Sequence, residues 1–115
     1  MGSVNMRYVL LYCGGDDAEP MNDETRDLLD RWFAKYHSNI VHSRRLKPAE
    51  TATTVDVSFS PDPVMWDRPF ATPALSGYIE VEAADLDEVL RMVRTWPGSP
   101  TVEIRPIVSA STPSP

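Results

Sequence analysis

Residues 79–93 read IEVEAADLDEVLRMV, and within this stretch the hydrophobic period changes from two residues to about four. The first half alternates apolar and polar side chains, so we place a strand at residues 78–82. A helix starts at Asp85 and is stopped by Pro97-Gly98. Its apolar side chains recur at helical spacing: Leu86, Val89, Leu90 and Val93. A strand that passes directly into an amphipathic helix predicts a mixed fold of helices and strands.

The segments on either side complete this arrangement. A buried strand is predicted at 7–13 (RYVLLYC), a helix from Asn22 or Asp23 to about Tyr36, and strands at 40–46, 53–59 and 101–108. Because Pro61, Pro63 and Pro69 interrupt the chain, the loop with Trp66 and Asp67 is predicted to lack regular structure. If the strand at 53–59 is counted as a hairpin arm of the strand at 40–46, the order of elements along the chain is β-α-β-β-α-β. We therefore predict an α+β, ferredoxin-like antiparallel sheet with two helices on one face.

The first strand predicts that the other face of the sheet is also covered. Both of its sides are apolar: Tyr8, Leu10 and Tyr12 alternate with Val9, Leu11 and Cys13. Two helices cover only one face of such a sheet, and a strand that is apolar on both sides is typical of a sheet covered twice. A homodimer that pairs sheet against sheet follows as a hypothesis.

Length and charge narrow the class of protein. The 115 residues form one domain, which we place at 6–108, with 1–5 as an extension or tag remnant and 109–115 as a disordered tail. The net charge of −6 argues against non-specific nucleic-acid binding. No apolar run is long enough to span a membrane, and no signal peptide opens the chain. The single Cys13 forms no internal disulfide, so a cytoplasmic location is expected.

Three residues are the candidates for acid–base chemistry. His42 lies in a predicted strand two residues from Arg44, so both side chains point the same way and suit a base beside an anion-binding cation. The alternative is that both are polar side chains of a half-exposed strand. Asp67 follows Trp66, which fits either a desolvated general acid or a structural Asx turn. Glu80 lies mid-strand, and is either a cleft carboxylate partnered by Arg44 or Arg105, or part of an exposed face with Glu82.

Other residues are candidates for binding rather than catalysis. Aromatic side chains that suit an apolar pocket are Tyr8, Tyr12, Trp66 and Tyr78, although aromatic residues in strands are most often core. His37 follows the first helix and is read as a partner of the helix dipole. With two histidines and one cysteine at no ligand spacing, a zinc site is not expected. The chain also lacks a glycine-rich phosphate loop, a dinucleotide fingerprint and a nucleophile elbow.

Several segments in the same order resemble the YCII-related, or DGPF, family of small α+β proteins. They are residues 6–12 (MRYVLLY), 46–48 (LKP) with 52–55 (ATTV), 67–71 (DRPFA), 77–78 (GY) with 82–83 (EA), 86–90 (LDEVL) and 102–107 (VEIRPI). Arg68 stands at the glycine of the Asp-Gly-Pro-Phe motif and adds a cation there. The resemblance implies a dimeric α+β barrel with a cleft and no cofactor.

Two functions are consistent with these observations. The first is a cofactor-free acid–base enzyme of lyase, isomerase or cyclase type that acts on a small molecule, with His42, Asp67 and Glu80 catalytic; a natural-product pathway is one setting. Arg44, Tyr12, Trp66, Arg68 and Tyr78 would bind its substrate. The second is a non-catalytic ligand-binding or regulatory accessory, as some family members occur beside alternative sigma factors.

Overall fold

A computed structural model describes residues 5–13, 22–58, 61, 64–68, 75–98 and 101–108. Its strands are β1 (Met6–Cys13), β2 (Ile40–Arg45), β3 (Thr54–Asp56), β4 (Val64–Trp66), β5 (Leu75–Ala83) and β6 (Thr101–Pro106), and its helices are α1 (Asp23–Lys35) and α2 (Leu86–Val93). A single turn of 3-10 helix, Ala49–Thr51, lies between β2 and β3. The predicted tail 109–115 and the whole segment 69–74 lie outside the described residues.

Four strands form the main sheet in the order β2-β5-β1-β6, with every neighbouring pair antiparallel. This is the ferredoxin-like arrangement, and the predicted α+β class with two helices on one face is confirmed. The longest strands, β1 and β5, are central and pair along their whole length. The side chains at the middle of the sheet are therefore the most tightly positioned in the molecule.

One face of the sheet packs against both helices and forms the core. Leu10, Ile79 and Val81 on this face are 2 %, 1 % and 0 % exposed. The helices contribute the buried side chains Trp32, Val89 and Met92. One expectation about the apolar stripe of α2 is wrong: Leu86 is 47 % exposed, because α2 contacts the sheet through positions one turn further along, at Val89 and Met92.

Polar side chains position the helices where they begin. Asn22 caps α1 through its side-chain oxygen, which accepts from the Thr25 N–H at 2.7 Å. Asp85 caps α2 in the same way, accepting from the Glu88 N–H at 2.9 Å, and the Glu88 carboxylate in turn accepts from the Ala84 N–H at 2.8 Å. Because the Glu88 carboxylate reaches the N–H of the residue before the cap and not that of Asp85 itself, this is a variant of the capping box, and it ties α2 to the end of β5.

A β-bulge in β2 changes the expected alternation of that strand. Simple alternation would put Ile40, His42 and Arg44 on one face, but the register shifts between Ile40 and His42. Ile40 consequently pairs with Val81 and packs against the core, whereas His42 pairs with Glu80 on the opposite face. A bulge adds one residue to one strand. The side chain before the bulge, that of Ile40, therefore points to the face opposite to the one that simple alternation predicts.

The expected irregular loop contains a short strand instead. β4 (Val64–Trp66) pairs with β3 (Thr54–Asp56) in a separate two-stranded hairpin, so the prediction that prolines exclude regular structure around Trp66 is wrong. Pro61 and Pro63 precede β4 rather than interrupt it. The arm predicted at 53–59 therefore pairs with its own return strand and not with β2.

Neither helix in the described ranges is long and apolar enough to cross a membrane.

Candidate functional site

The face of the sheet that points away from the helices carries four of the eight predicted site residues, and we call it the open face. Its side chains come from alternate positions of the four strands. Besides the pair Arg7 and Glu82, they lie in two rows across the sheet. One row runs Arg44, Tyr78, Leu11 and Glu103, and the next runs His42, Glu80, Val9 and Arg105. The apolar pair Val9 and Leu11 is half-buried and is flanked by ionisable groups on both sides.

His42 and Tyr78 form a hydrogen-bonded pair on the open face. The His42 Nε2 atom lies 3.0 Å from the Tyr78 hydroxyl, and the two ring centroids are 5.6 Å apart. His42 is directly opposite Glu80 in the register, so it reaches Tyr78 along the diagonal between β2 and β5. An imidazole bonded to a phenol has a path for moving one proton between the two side chains.

Glu80 is held by an arginine that sequence reasoning did not assign. Arg7 Nη1 donates to the Glu80 carboxylate at 2.8 Å, and Arg7 Nε lies 3.9 Å from Glu82. The sequence predicted Arg44 or Arg105 as the partner of Glu80, and this is wrong. The sequence held no signal for Arg7, because Arg7 lies opposite Glu82 and diagonal to Glu80 only through the register between β1 and β5.

Trp66, Asp67 and Arg68 lie on the β3–β4 hairpin, outside the four-stranded sheet. The Arg68 guanidinium lies over the Trp66 ring at 5.9 Å, so the cation and not the Asp67 carboxylate faces the indole. The Arg68 backbone carbonyl accepts a hydrogen bond from the Thr54 hydroxyl, which joins the two ends of the hairpin. Asp67 is exposed, and no hydrogen bond to its carboxylate occurs within the described part of the chain.

Tyr12 lies on the opposite side of the sheet from the open face. It is 7 % exposed and its ring packs 5.1 Å from the Trp96 ring, centroid to centroid. Burial raises the pKa of the Tyr12 hydroxyl, and the Arg45 charge opposes this shift. Its hydroxyl occupies the space beside Gly77, where a Cβ would lie only 2.2 Å from it. Tyr12 is thus a core residue in the chain, separated by the sheet from His42 and Tyr78.

The structure brings together His42, Glu80, Arg44 and Tyr78, and places Tyr12 and the three hairpin residues elsewhere. Among the described residues there is no group of three or more His, Cys, Asp or Glu side chains that could hold a metal ion. The open face can therefore hold charge, donate hydrogen bonds and move protons with its own side chains.

No family model matches the chain, and no curated protein matches its sequence. The resemblance to the YCII-related family stays a prediction, and the chemistry of the open face is the basis for a functional proposal.

Proposed function

We propose that this protein is a cofactor-free acid–base enzyme of lyase or isomerase type, acting on a small molecule at the open face. The observation that carries the proposal is the 3.0 Å contact between His42 Nε2 and the Tyr78 hydroxyl. Neutral histidine accepts a proton near neutral pH, and a phenol bonded to it extends its reach to the substrate. The surrounding Val9 and Leu11 offer an apolar contact for the substrate skeleton.

In this proposal His42 and Tyr78 act as one relay. The substrate C–H proton passes to the Tyr78 oxygen while the Tyr78 hydroxyl proton passes to His42 Nε2. The electron pair left on carbon is taken up by an adjacent carbonyl or double bond of the substrate. Return of the proton at another carbon completes an isomerisation, and departure of a leaving group from the neighbouring carbon completes an elimination.

Glu80 has a supporting part in the same site. Arg7 holds its carboxylate at 2.8 Å, directly across from His42 in the strand register. The ion pair of Arg7 and Glu80 thus lies next to the relay and fixes the charge on that side of the proposed site. Asp67 would join this site only where the β3–β4 hairpin, either of the same chain or of a second copy, reaches the open face.

A homodimer completes the proposed site. The half-buried Val9 and Leu11 lie at the centre of a sheet face that neither helix within the described residues covers. Packing the open faces of two copies together would bury these side chains and enclose the polar groups around them. Sedimentation analysis of the wild type and of Leu11→Arg tests this: we expect a dimer that the added charge dissociates, and a monomeric wild type would contradict it.

Solvent exchange tests the chemistry without knowledge of the natural substrate. The protein is incubated in D2O with a mixture of small ketones, oxo acids and unsaturated acids, and deuterium uptake is followed by mass spectrometry. We expect catalysed exchange that His42→Asn and Tyr78→Phe each lower by about 10²-fold or more. The matched control is His37→Asn, which removes the other histidine, exposed after α1, and should leave exchange unchanged.

Equal exchange in His42→Asn and the wild type would contradict the relay.

A second candidate, a non-catalytic ligand-binding protein, is favoured by one observation. Glu80 is already neutralised by Arg7, an arrangement that suits a fixed binding surface as well as a reactive one. Binding of a compound without any exchange would select this second function.

A further inference from the structure

The three arginines of the open face are not equivalent. Arg7 lies 2.8 Å from Glu80, and Arg105 lies 3.7 Å from Glu103. Arg44 has no carboxylate within ion-pair distance in the described ranges, and its guanidinium donates only to the backbone carbonyl of the preceding residue, Ser43, at 2.7 Å. Arg44 is therefore the guanidinium of this face that is available to an anion from outside the chain.

The position of Arg44 relates it directly to the proposed relay. Arg44 is directly opposite Tyr78 in the register of β2 and β5, and His42 is two residues before it on the same face. Side chains directly opposite in antiparallel strands have Cβ atoms about 5 Å apart. An anion bound by Arg44 would thus hold the atoms attached to it beside the Tyr78 hydroxyl.

We propose that the ligand of the open face is a small carboxylic acid whose carboxylate is bound by Arg44. The guanidinium is planar and presents paired donors that match the two carboxylate oxygens. The reacting C–H group lies close to the carboxylate and next to a carbonyl or double bond, so it meets the Tyr78 oxygen. This inference rests on the proposed function for its chemistry, whereas the binding of the carboxylate stands on Arg44 alone.

We expect a ligand with a single negative charge, because the described part of the open face has one guanidinium without a carboxylate partner. In the described part of the open face the other two guanidiniums already have carboxylate partners. A phosphate carries more charge and more acceptor oxygens, and is commonly bound by several cations or by backbone N–H groups. One guanidinium beside apolar Val9 and Leu11 is better matched to an organic acid with a short carbon skeleton.

Nuclear magnetic resonance titrations of the full chain provide the test. The probes are acetate, benzoate and 2-oxobutanoate, each compared with its primary amide, and inorganic phosphate. We expect at least one carboxylate to give saturable shifts of the Arg44 guanidinium and Tyr78 ring signals, and its amide to give none. Arg44→Gln should weaken that binding about tenfold or more, and Arg44→Lys should retain part of it.

The matched control is Arg105→Gln, which removes a guanidinium from the same face and should leave the affinity unchanged. Equal binding of an acid and its amide, tighter binding of phosphate, or binding that is insensitive to Arg44→Gln would overturn the inference. Deuterium exchange that depends on His42 but is as fast in neutral ketones as in oxo acids would overturn the inference and leave the proposed enzyme intact. Arg44-dependent carboxylate binding without exchange would support the inference and remove the enzyme.

Discussion

The two faces of the four-stranded sheet are made by the same strands, yet their side chains are held by different forces. On the helix side Leu10, Ile79 and Val81 are almost fully buried, and their contribution comes from the removal of apolar surface from water. On the open face Arg7 and Glu80 remain 46 % and 28 % exposed and are held by charge and hydrogen bonds. Such exposed pairs contribute little stability.

This difference separates the part of the molecule that maintains the fold from the part that is available for function. The helix side tolerates few changes, because closely packed side chains leave a cavity when they are truncated. Ionisable groups of the open face can be replaced at small cost, so loss of binding or turnover there can be measured on a folded protein.

The largest expected effect comes from a matched pair of valines. Val81→Ala, on the helix side, should lower the free energy of unfolding by about 2 kcal/mol at every protein concentration, since two buried methyl groups are lost. Val9→Ala, on the open face, should have an effect that decreases on dilution, because only the proposed dimer covers it. Urea unfolding at several protein concentrations gives both values. Equal, concentration-independent losses would mean that the chain itself covers the open face.

Two tryptophans sharpen the description of the helix side. The Trp32 Nε1 atom donates to the Met92 carbonyl at 2.9 Å, whereas the buried Trp96 Nε1 has no hydrogen-bond partner among the described residues. We expect Trp32→Phe to be more destabilising than Trp96→Phe by about 1 kcal/mol, because only the former removes a hydrogen bond. Thermal or urea unfolding measures the difference. A more costly Trp96→Phe would show that its indole nitrogen is bonded in solution.

A third effect, confined to alkaline pH, concerns Tyr12. Burial raises the pKa of its hydroxyl above that of an exposed tyrosine, so the unfolded chain releases this proton first as the pH rises. The stabilisation is fully present below about pH 10 and is lost as the pH rises from there through the pKa of the folded state. Tyr12→Phe should therefore show a shallower alkaline loss of stability than the wild type. Identical alkaline slopes in pH-dependent urea unfolding would contradict the burial.

The smallest expected effect is the coupling between Arg7 and Glu80. At protein concentrations low enough to dissociate the proposed dimer, a double-mutant cycle with Arg7→Gln and Glu80→Gln should give a coupling free energy of about 0.5 kcal/mol, because both side chains of the single chain retain contact with water. The coupling should decrease further in about 1 M salt, where charges are screened within a few ångströms. A coupling above about 2 kcal/mol that persists in salt would show that the open face is desolvated, as in a tight dimer.

Much of this architecture followed from local patterns. The alternation in residues 7–13 and 78–82 indicated which side chains share a face, and the apolar spacing after Asp85 predicted the start of α2, although the observed helix ends at Val93, before the predicted stop at Pro97-Gly98. The prediction that β1 is apolar on both sides also agrees with the placement of Val9 and Leu11 on the open face. For the site, the sequence brought His42, Arg44 and Glu80 into consideration because of their residue types and strand positions.

Partners across the sheet were decided by the tertiary structure. Arg7 and Glu80 are separated by 73 residues, so their contact depends on the register between β1 and β5, and a register shift of one residue would place them on opposite faces. The bulge between Ile40 and His42 places Ile40 against the core, and no period in β2 indicated it. Hydrophobic period is a local property that sequence carries, whereas strand register and bulges depend on contacts between distant segments.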